Sequence, residues 1–320
     1  MYGYEIFHEE LMQSLINSVH NGTSSHAYIF EGDRGLAVME AARLFAAALC
    51  CKNAEIAPCG ACPSCVEAKA DTNPDIVYIN SGDKKSIGAD VMRKTEEDAA
   101  IKPFAAARKV YVIEDGALLT EAAQNVFLKT LEEPPEYAAF IIVIQNAEVL
   151  LQTIRSRALL VHFPNVSNAA VRKYISEKYP DEAERLDFLV KYCAGIPLTA
   201  DEVIADADFE ALRQSSLDKL ALLLSDKKIR AFELQKFTDE NKDNFKKILD
   251  FWISYLRDIL LLQTSANESV INTDKTETLR AAARNVNPEK IVAVLDRLIM
   301  AQKMAARYVN TKAITFWAAL

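Results

Sequence analysis

Short apolar runs alternate with helical patterns along the chain up to about residue 163. The helical patterns place apolar residues three and four positions apart, as in EELMQSLINSVHNG and TEAAQNVFLKTLEEPP. The short runs are rich in β-branched and aromatic residues: AYIF, DIVYI, KVYVIED and FIIVIQN. Strands that alternate with helices predict an α/β fold in which helices cover both faces of a parallel sheet.

From about Asn165 onward the strand patterns stop and the apolar positions follow helical spacing. The stretch NAAVRKYISEKYPDEAERLDFLVKYCAGIP predicts a small helical unit, which ends at Gly195 and Pro197. Longer amphipathic helices follow, and the polar stretch QTSANESVINTDKT is predicted to be a loop between two of them. In NFKKILDFWISYLRDILLLQ one apolar stripe comprises Ile248, Leu249, Trp252, Tyr255, Leu256 and Ile259. Such a stripe is typical of a core or of a face that packs against another subunit.

Composition places the chain among ordinary globular proteins. Half of its 320 residues are apolar, which is enough for more than one hydrophobic core. Its formal net charge of −8 argues against a protein that holds nucleic acid unaided, because that affinity comes mostly from lysine and arginine. We find no apolar run of about 18 residues, and MYGYEIFHEELMQ is acidic where a signal peptide would be basic. We therefore expect a cytoplasmic protein with no membrane association.

The stretch EGDRGLAVM lies between a predicted strand and a predicted helix, where a phosphate-binding loop would lie. Such a loop ends in Gly-Lys-Ser/Thr, because the lysine reaches the phosphates and the hydroxyl holds magnesium. Here Gly32 opens the frame, but Ala37, Val38 and Met39 fill those three positions. On this segment alone, an ordinary strand-turn-helix connection is favoured over a working nucleotide site.

The strand KVYVIED ends in Glu114-Asp115. An active ATPase of this architecture ends the corresponding strand in Asp-Glu, where the aspartate holds magnesium and the glutamate polarises water. The reversed order displaces both carboxylates from a geometry that must be accurate. We therefore favour a pair of solvated acids over a metal site.

Five of the six cysteines lie in CCKNAEIAPCGACPSC. Cys59, Cys62 and Cys65 have two-residue gaps, which place thiolates around a tetrahedral ion, and disulfides are rare in the cytoplasm. Zinc is favoured over redox chemistry, because the extended ferredoxin pattern of an iron–sulfur protein is missing. With four sulfur ligands the metal would be structural. Spacing mildly favours Cys50 as the fourth ligand, with Cys51 as the alternative.

The stretch LLQTIRSRALLVHF carries Arg155 and Arg157 on either side of Ser156, just before an apolar strand. The simpler interpretation is a local ion pair. The functional alternative is that one arginine reaches a phosphate on a neighbouring subunit, where such a fixed charge speeds phosphoryl transfer by roughly 10³- to 10⁵-fold. A chain without a working loop can complete the site of another chain in this way.

These motifs together resemble the delta-prime family of bacterial DNA polymerase III clamp-loader subunits, which are relatives of the AAA+ ATPases. The resemblance rests on SSHAYIFEGDRG, APCGACPSC, NVFLKTLEEPP and TIRSRALLVHF, in that order. One departure is Ala158, where the family usually has cysteine; Ser156 and Arg157 are intact. The gamma/tau subunits share the cysteine insertion and LKTLEEPP but keep an intact loop, so Val38 separates this chain from them.

The resemblance implies three domains. The first is an α/β AAA+-like domain over 1–164 that contains the zinc module at about 50–65. A small helical lid over 165–206 and an all-α collar over 207–320 follow, the collar matching only in length and periodicity. The implied function is that of a stator-like subunit without ATPase activity of its own, which supports loading of the sliding clamp onto primed DNA. The implied partners are the gamma/tau and delta subunits and, in the assembled complex, the clamp and primer-template DNA.

The resemblance also carries roles over to individual residues. Arg157, with its motif neighbour Ser156, would be an arginine finger for the ATP site of the adjacent gamma/tau subunit. No functional ATP site is expected in this chain itself, where Gly32 and Gly35 would belong to a vestigial loop. The implied ligands of a structural Zn²⁺ are Cys50, Cys59, Cys62 and Cys65.

Three alternatives remain at this stage. The chain could be an active AAA+ ATPase with a divergent loop, a zinc-dependent nucleic-acid-binding scaffold, or a purely structural scaffold in which Arg157 makes only a local ion pair. The sequence also leaves open whether nucleotide binds passively and whether this chain contacts DNA directly.

Overall fold

A computed structural model describes residues 7–225, 230–264 and 269–305, together with residues 312, 314 and 315. These residues fall into two compact units. The first comprises the described residues up to Ala170 together with Ile196–Leu198, and the second comprises Val171–Gly195 and the described residues from Thr199 onward. The predicted domain boundaries at 164 and 206 stay predictions.

The first unit is built on a five-stranded parallel sheet. Its strands are β1 (Ala27–Glu31), β2 (Ile76–Ile79), β3 (Lys109–Ile113), β4 (Ala138–Ile144) and β5 (Leu159–His162), in the spatial order β2-β3-β4-β1-β5. The inner strands β3 and β4 are buried along their whole length, which explains their continuous apolar sequences. The α/β fold predicted from the alternating pattern is confirmed.

Helices cover both faces of this sheet. They are α1 (Glu9–His20), α2 (Val38–Leu49), α3 (Pro63–Lys69), α4 (Ala89–Ala99), α5 (Glu121–Glu132) and α6 (Gln152–Arg155). Successive strand side chains point to opposite faces. Phe30 and Val112 accordingly pack with α1 and α2, whereas Tyr111 and Phe140 pack with α4 and α5. The cysteine-rich insertion joins α2 to α3 on the first of these faces.

The described part of the second unit is helical throughout. Its helices are α7 (Asn168–Lys178), α8 (Leu186–Tyr192), α9 (Thr199–Ala205), α10 (Phe209–Leu223), α11 (Arg230–Glu240), α12 (Phe245–Gln263), α13 (Thr276–Asn285) and α14 (Pro288–Ala305). The whole predicted stripe of α12 is buried, where this helix packs against α10, α13 and α14. Of the predicted loop over 263–276, residues 265–268 lie outside the described residues. Among the described helices, none is long and apolar enough to cross a membrane.

A buried arginine links three elements of the second unit. Arg213 of α10 is 0% exposed, and its two terminal nitrogens lie 2.7 Å from the two carboxylate oxygens of Asp274. It also donates to Asn272 Oδ1 at 2.9 Å, and its guanidinium lies 3.7 Å from the ring centre of Phe188 in α8. A buried cation is tolerated only when it is paired, as the two terminal nitrogens are here, whereas the buried Nε makes no hydrogen bond. The cluster therefore joins α8 and α10 to the segment between α12 and α13.

We expect Asp274→Asn to lower the free energy of unfolding by about 3 kcal/mol, because it removes the bidentate counter-charge of the Arg213 cation and leaves only the half-exposed Glu210 carboxylate at 3.3 Å. Burial raises the pKa of Asp274, but the hydrogen bonds and charge of Arg213 outweigh burial and lower that pKa overall. The stabilisation is therefore complete above the ordinary aspartate pKa of about 3.9 and is lost as the pH falls below it. Urea unfolding of the wild-type chain and of Asp274→Asn at pH 7 and pH 3 measures the loss of stability in the variant and its dependence on pH. The exposed control Asp243→Asn should change little; an equally small effect of Asp274→Asn at pH 7 would contradict this account.

Candidate functional site

A cleft of about 520 Å³ opens at the carboxyl ends of the parallel strands. In open α/β sheets this edge is where ligands bind. The residues that line the cleft come mainly from the loop after β1, from the first half of α2 and from the ends of β2, β3 and β4, and they include Gly32, Arg34, Val38, Arg43, Asn80, Glu114, Asp115 and Gln145. The stretch singled out as a degenerate phosphate-binding loop thus borders the cleft.

The loop combines a left-handed backbone residue with side chains that are not those of a nucleotide loop. Ala37 has φ +56° and ψ +36°, a left-handed conformation that costs an alanine roughly 1–2 kcal/mol and a glycine nothing. Asp33 accepts a hydrogen bond from the backbone N–H of Gly35 at 2.9 Å. Val38, in the lysine position, is 1% exposed and belongs to the core between α2 and the sheet. The cleft therefore receives no cation from this position.

Gly32 has a packing role that does not depend on phosphate. A Cβ atom at this position would lie 2.8 Å from Phe163 Cβ and 3.0 Å from the Phe163 carbonyl oxygen. Its N–H donates to the carbonyl oxygen of Ile144 at 3.0 Å. The first glycine of the predicted loop is thus required by the strands beside it.

An ion pair joins the loop to the acidic strand end. The guanidinium of Arg34 contacts the carboxylate of Asp115, which also accepts a hydrogen bond from the N–H of Ala117 at 3.1 Å. Glu114 is partly exposed beside it. Asp115, one of the two carboxylates of the acidic strand end, is thus engaged by Arg34, a partner that the sequence analysis did not identify.

The sulfur atoms of Cys51, Cys59, Cys62 and Cys65 lie within 4.8 Å of one another. This finding corrects the predicted fourth ligand, because Cys50 is not in the cluster. The Cys50 side chain is fully buried, its sulfur lies 3.3 Å from the Arg108 carbonyl oxygen, and burial raises its pKa. Helix α2 ends at Leu49 and Cys50 keeps helical backbone angles. Successive helical residues differ in direction by about 100°, so only one of two adjacent cysteines can face the cluster.

The cluster has the chemistry of a metal site. Backbone N–H groups of Ala61 and Cys62 lower the pKa of Cys59 to about 6, and the thiolate is the form that binds metal. The N–H of Cys62 lies 3.3 Å from the Cys59 sulfur, and the N–H of Cys59 lies 3.5 Å from the Cys51 sulfur. Four thiolates in this arrangement fit a metal ion with a closed coordination sphere.

The predicted finger lies at the exposed end of α6. Arg157 Nη1 donates to the carbonyl oxygen of Thr153 at 2.9 Å and lies 3.5 Å from the hydroxyl of Ser156. Its Nη2 lies 2.8 Å from Glu132 Oε1 at the end of α5. Arg155 is exposed and, within the described ranges, makes no ion pair. A local ion pair of Arg157 is therefore present, and its partner Glu132 was not identified from the sequence.

The chain matches two sequence models of known families. Residues 7–167 match the family described as DNA polymerase III, delta subunit, and residues 207–312 match the one described as DNA polymerase III, delta subunit, C terminal.

The chain is also similar to individual curated proteins. It is 28% identical to DNA polymerase III subunit tau of Bacillus subtilis, over 91% of this chain and 55% of that protein. It is 27% identical to subunit tau/gamma of Haemophilus influenzae, over 88% and 44%, and so spans about half the length of these relatives. It is 25% identical to subunit delta′ of B. subtilis, over 95% of this chain and 92% of that protein.

Two solved structures are similar over almost the whole chain. The first is a DNA polymerase III gamma subunit-related protein of Thermotoga maritima, with 19% identity, 97% of both chains covered and a TM-score of 0.45. The second is the DNA clamp loader delta protein of B. subtilis, with 13% identity, 96% and 98% covered and a TM-score of 0.36.

Proposed function

The chain belongs to the DNA polymerase III delta subunit family, as a clamp-loader subunit of the delta-prime type, and we propose that it hydrolyses no ATP itself but contributes Arg157 to a neighbouring ATP site. In this proposal the chain is a stator-like subunit. Its partners are the gamma/tau and delta subunits, and the assembled complex places the sliding clamp on primed DNA. The AAA+-like domain holds the two features on which the proposal depends.

The burial of Val38 is the observation that carries the proposal. A nucleotide loop needs a lysine at this position to reach the β- and γ-phosphates. The Val38 side chain packs in the core instead, and Met39 offers no hydroxyl for magnesium. With the Arg34–Asp115 ion pair across the same cleft, three separate requirements of ATP hydrolysis are unmet. The vestigial loop of Gly32 and Gly35 is thus a structural connection.

Arg157 has the chemistry that an arginine finger requires. Arginine is always charged and presents five N–H donors in a planar fork. The side chain of Arg157 is 35% exposed, so part of the guanidinium faces solvent at the end of α6. Ser156 lies beside it as a neighbour in the motif, with its hydroxyl bonded to Thr153. In the assembled loader this part of the guanidinium binds the γ-phosphate of ATP on the adjacent subunit.

The cysteine cluster holds a structural Zn²⁺ in this proposal, through Cys51, Cys59, Cys62 and Cys65. When bound, the ion crosslinks the insertion and performs no catalysis, because four sulfur ligands leave no position for a substrate. The insertion packs against α1, where His20 Nε2 lies 2.8 Å from the carbonyl oxygen of Ala57. Zinc therefore stabilises the position of α1 against the sheet.

The isolated chain should show negligible ATP turnover. In a loader reconstituted with gamma/tau and delta, omission of the chain should lower both DNA-stimulated ATP turnover and clamp loading. Both are measured by phosphate release in the presence of clamp and primed DNA. Asp115→Asn serves as a control, because it should not change the isolated chain. Steady turnover by the isolated chain that Asp115→Asn abolishes would favour an active ATPase with a divergent loop. Tight, salt-sensitive binding of primed DNA by the isolated chain would favour a nucleic-acid-binding scaffold.

A further inference from the structure

Arg157 is held from two directions by two different helices. Its Nη1 donates to the Thr153 carbonyl oxygen in α6 at 2.9 Å, and its Nη2 contacts Glu132 Oε1 in α5 at 2.8 Å. We propose that Glu132 is a positioning residue, which orients the Arg157 guanidinium for the phosphate of the neighbouring subunit. This inference rests on the proposed function, because it concerns how Arg157 performs that role.

The two helices are fixed to each other by a buried glutamine. Gln124 of α5 is 4% exposed, and its side-chain oxygen accepts the N–H of Leu151, which directly precedes α6, at 2.8 Å. Its side-chain nitrogen donates to the Leu119 carbonyl oxygen at 3.3 Å, before α5 begins. Gln124, Leu128 and Glu132 are spaced four residues apart and so lie along one face of α5. A rigid helix pair therefore sets where the Glu132 carboxylate meets Arg157.

The ion pair leaves the arginine free to bind a phosphate. Of five N–H donors on a guanidinium, the contacts to Thr153 and Glu132 engage one on each terminal nitrogen. Nη1 also lies 3.5 Å from the Ser156 hydroxyl oxygen, so Nε–H and the second hydrogen of Nη2 remain for phosphate oxygens. Holding the fork in one orientation before the partner binds reduces the rotamers lost at that moment, which is how preorganisation speeds phosphoryl transfer.

The same ion pair contributes little to folding. The side chain of Glu132 is 52% exposed and that of Arg157 is 35% exposed, and pairs this exposed are weak in water. Loss of Glu132 should therefore leave the chain folded and able to assemble. Its effect should be confined to the rate of the step in which Arg157 takes part.

The test compares Glu132→Gln with Glu133→Gln in the loader assembled with gamma/tau, delta, clamp and primed DNA. Gln keeps the shape of the side chain and removes its charge, and Glu133 is an exposed neighbour that makes no ion pair in the described part of the chain. We expect Glu132→Gln to lower kcat about three- to tenfold at the site that Arg157 completes, with KM for ATP unchanged. Glu133→Gln should leave both parameters unchanged. Thermal unfolding of each isolated variant verifies that it is folded.

A double variant separates positioning from a structural role. If Glu132 acts through Arg157, adding Glu132→Gln to Arg157→Ala should cause no further loss. A further loss, an unchanged rate in the single Glu132→Gln variant, or a faster rate in it would overturn the inference. If Arg157→Ala itself leaves hydrolysis unchanged, the proposed function fails first. If Arg157→Ala lowers hydrolysis and Glu132→Gln does not, only the positioning role fails.

Discussion

Replacing Arg157 by alanine should lower ATP hydrolysis at the adjacent gamma/tau site by about 10³-fold or more, the range in which arginine fingers act. The reason is electrostatic, since the guanidinium neutralises charge that develops on the transferred phosphoryl group. The effect is measured by single-turnover hydrolysis as well as in the steady state. Folding should hardly change, since the lost ion pair with Glu132 and the lost hydrogen bond to the Thr153 carbonyl oxygen are both at partly exposed positions.

Two further variants test whether the loss of hydrolysis is specific to Arg157 and to its planar guanidinium. Arg155→Ala removes an equally basic side chain two positions away, which is exposed and makes no ion pair in the described segments, and it should leave hydrolysis near the wild-type rate. Arg157→Lys keeps the charge but loses the planar fork and should recover little of the rate. Equal losses from Arg155→Ala and Arg157→Ala would indicate a general basic surface. Unchanged hydrolysis with Arg157→Ala would leave the local ion pair as its only role.

The sequence predicts the sheet well because its signals are local. The central strands are continuous apolar runs, and burial on both faces is what selects such runs. The broken loop was also predictable, since the three residues Ala37, Val38 and Met39 each lack a feature that phosphate binding needs. Its left-handed backbone at Ala37 could not be predicted, because an alanine gives no signal for that conformation.

Contacts between segments that are far apart in the sequence were not predicted. Arg34 and Asp115 are 81 positions apart, and Glu132 meets Arg157 where α5 and α6 pack together, with Gln124 bonded to Leu151 before α6. Gly32 illustrates the opposite difficulty, a residue that matches a functional motif but is required by packing against Phe163. A glycine in this frame is therefore not in itself a sign of phosphate binding, which is why the lysine position is the more informative one.

Which cysteine is the fourth ligand depends on the direction of each side chain at the end of α2, and the spacing of cysteines in the sequence does not determine that direction. Cys50 and Cys51 are adjacent in the sequence, and the number of residues between either of them and Cys59 is compatible with a metal site. The choice follows from where α2 ends, because Cys50 continues the helical path into the core beside Arg108 and Cys51 turns toward the cluster. This difference can be tested directly.

Cys51→Ser should abolish stoichiometric zinc binding, whereas Cys50→Ala should retain one zinc ion per chain. A structural zinc site in a small module contributes about 10–16 kcal/mol of apparent binding free energy, and losing one of four ligands removes most of its selectivity and strength. Cys50→Ala instead leaves a small void in the core, which costs roughly 1–2 kcal/mol of stability. Metal analysis of the purified variants, followed by competition with a chelator, measures the difference. The insertion of Cys51→Ser should also become sensitive to proteolysis, because no ion would crosslink it.

Cys193→Ala provides a matched control, because Cys193 is a buried cysteine of the second unit far along the chain from the cluster. It should retain the zinc ion and lose stability to a similar degree as Cys50→Ala. Loss of zinc with Cys50→Ala and retention with Cys51→Ser would restore the fourth ligand first inferred from spacing. Full retention with both variants would mean either that Cys50 and Cys51 can replace each other as the fourth ligand or that three sulfurs suffice, and the double variant would distinguish the two.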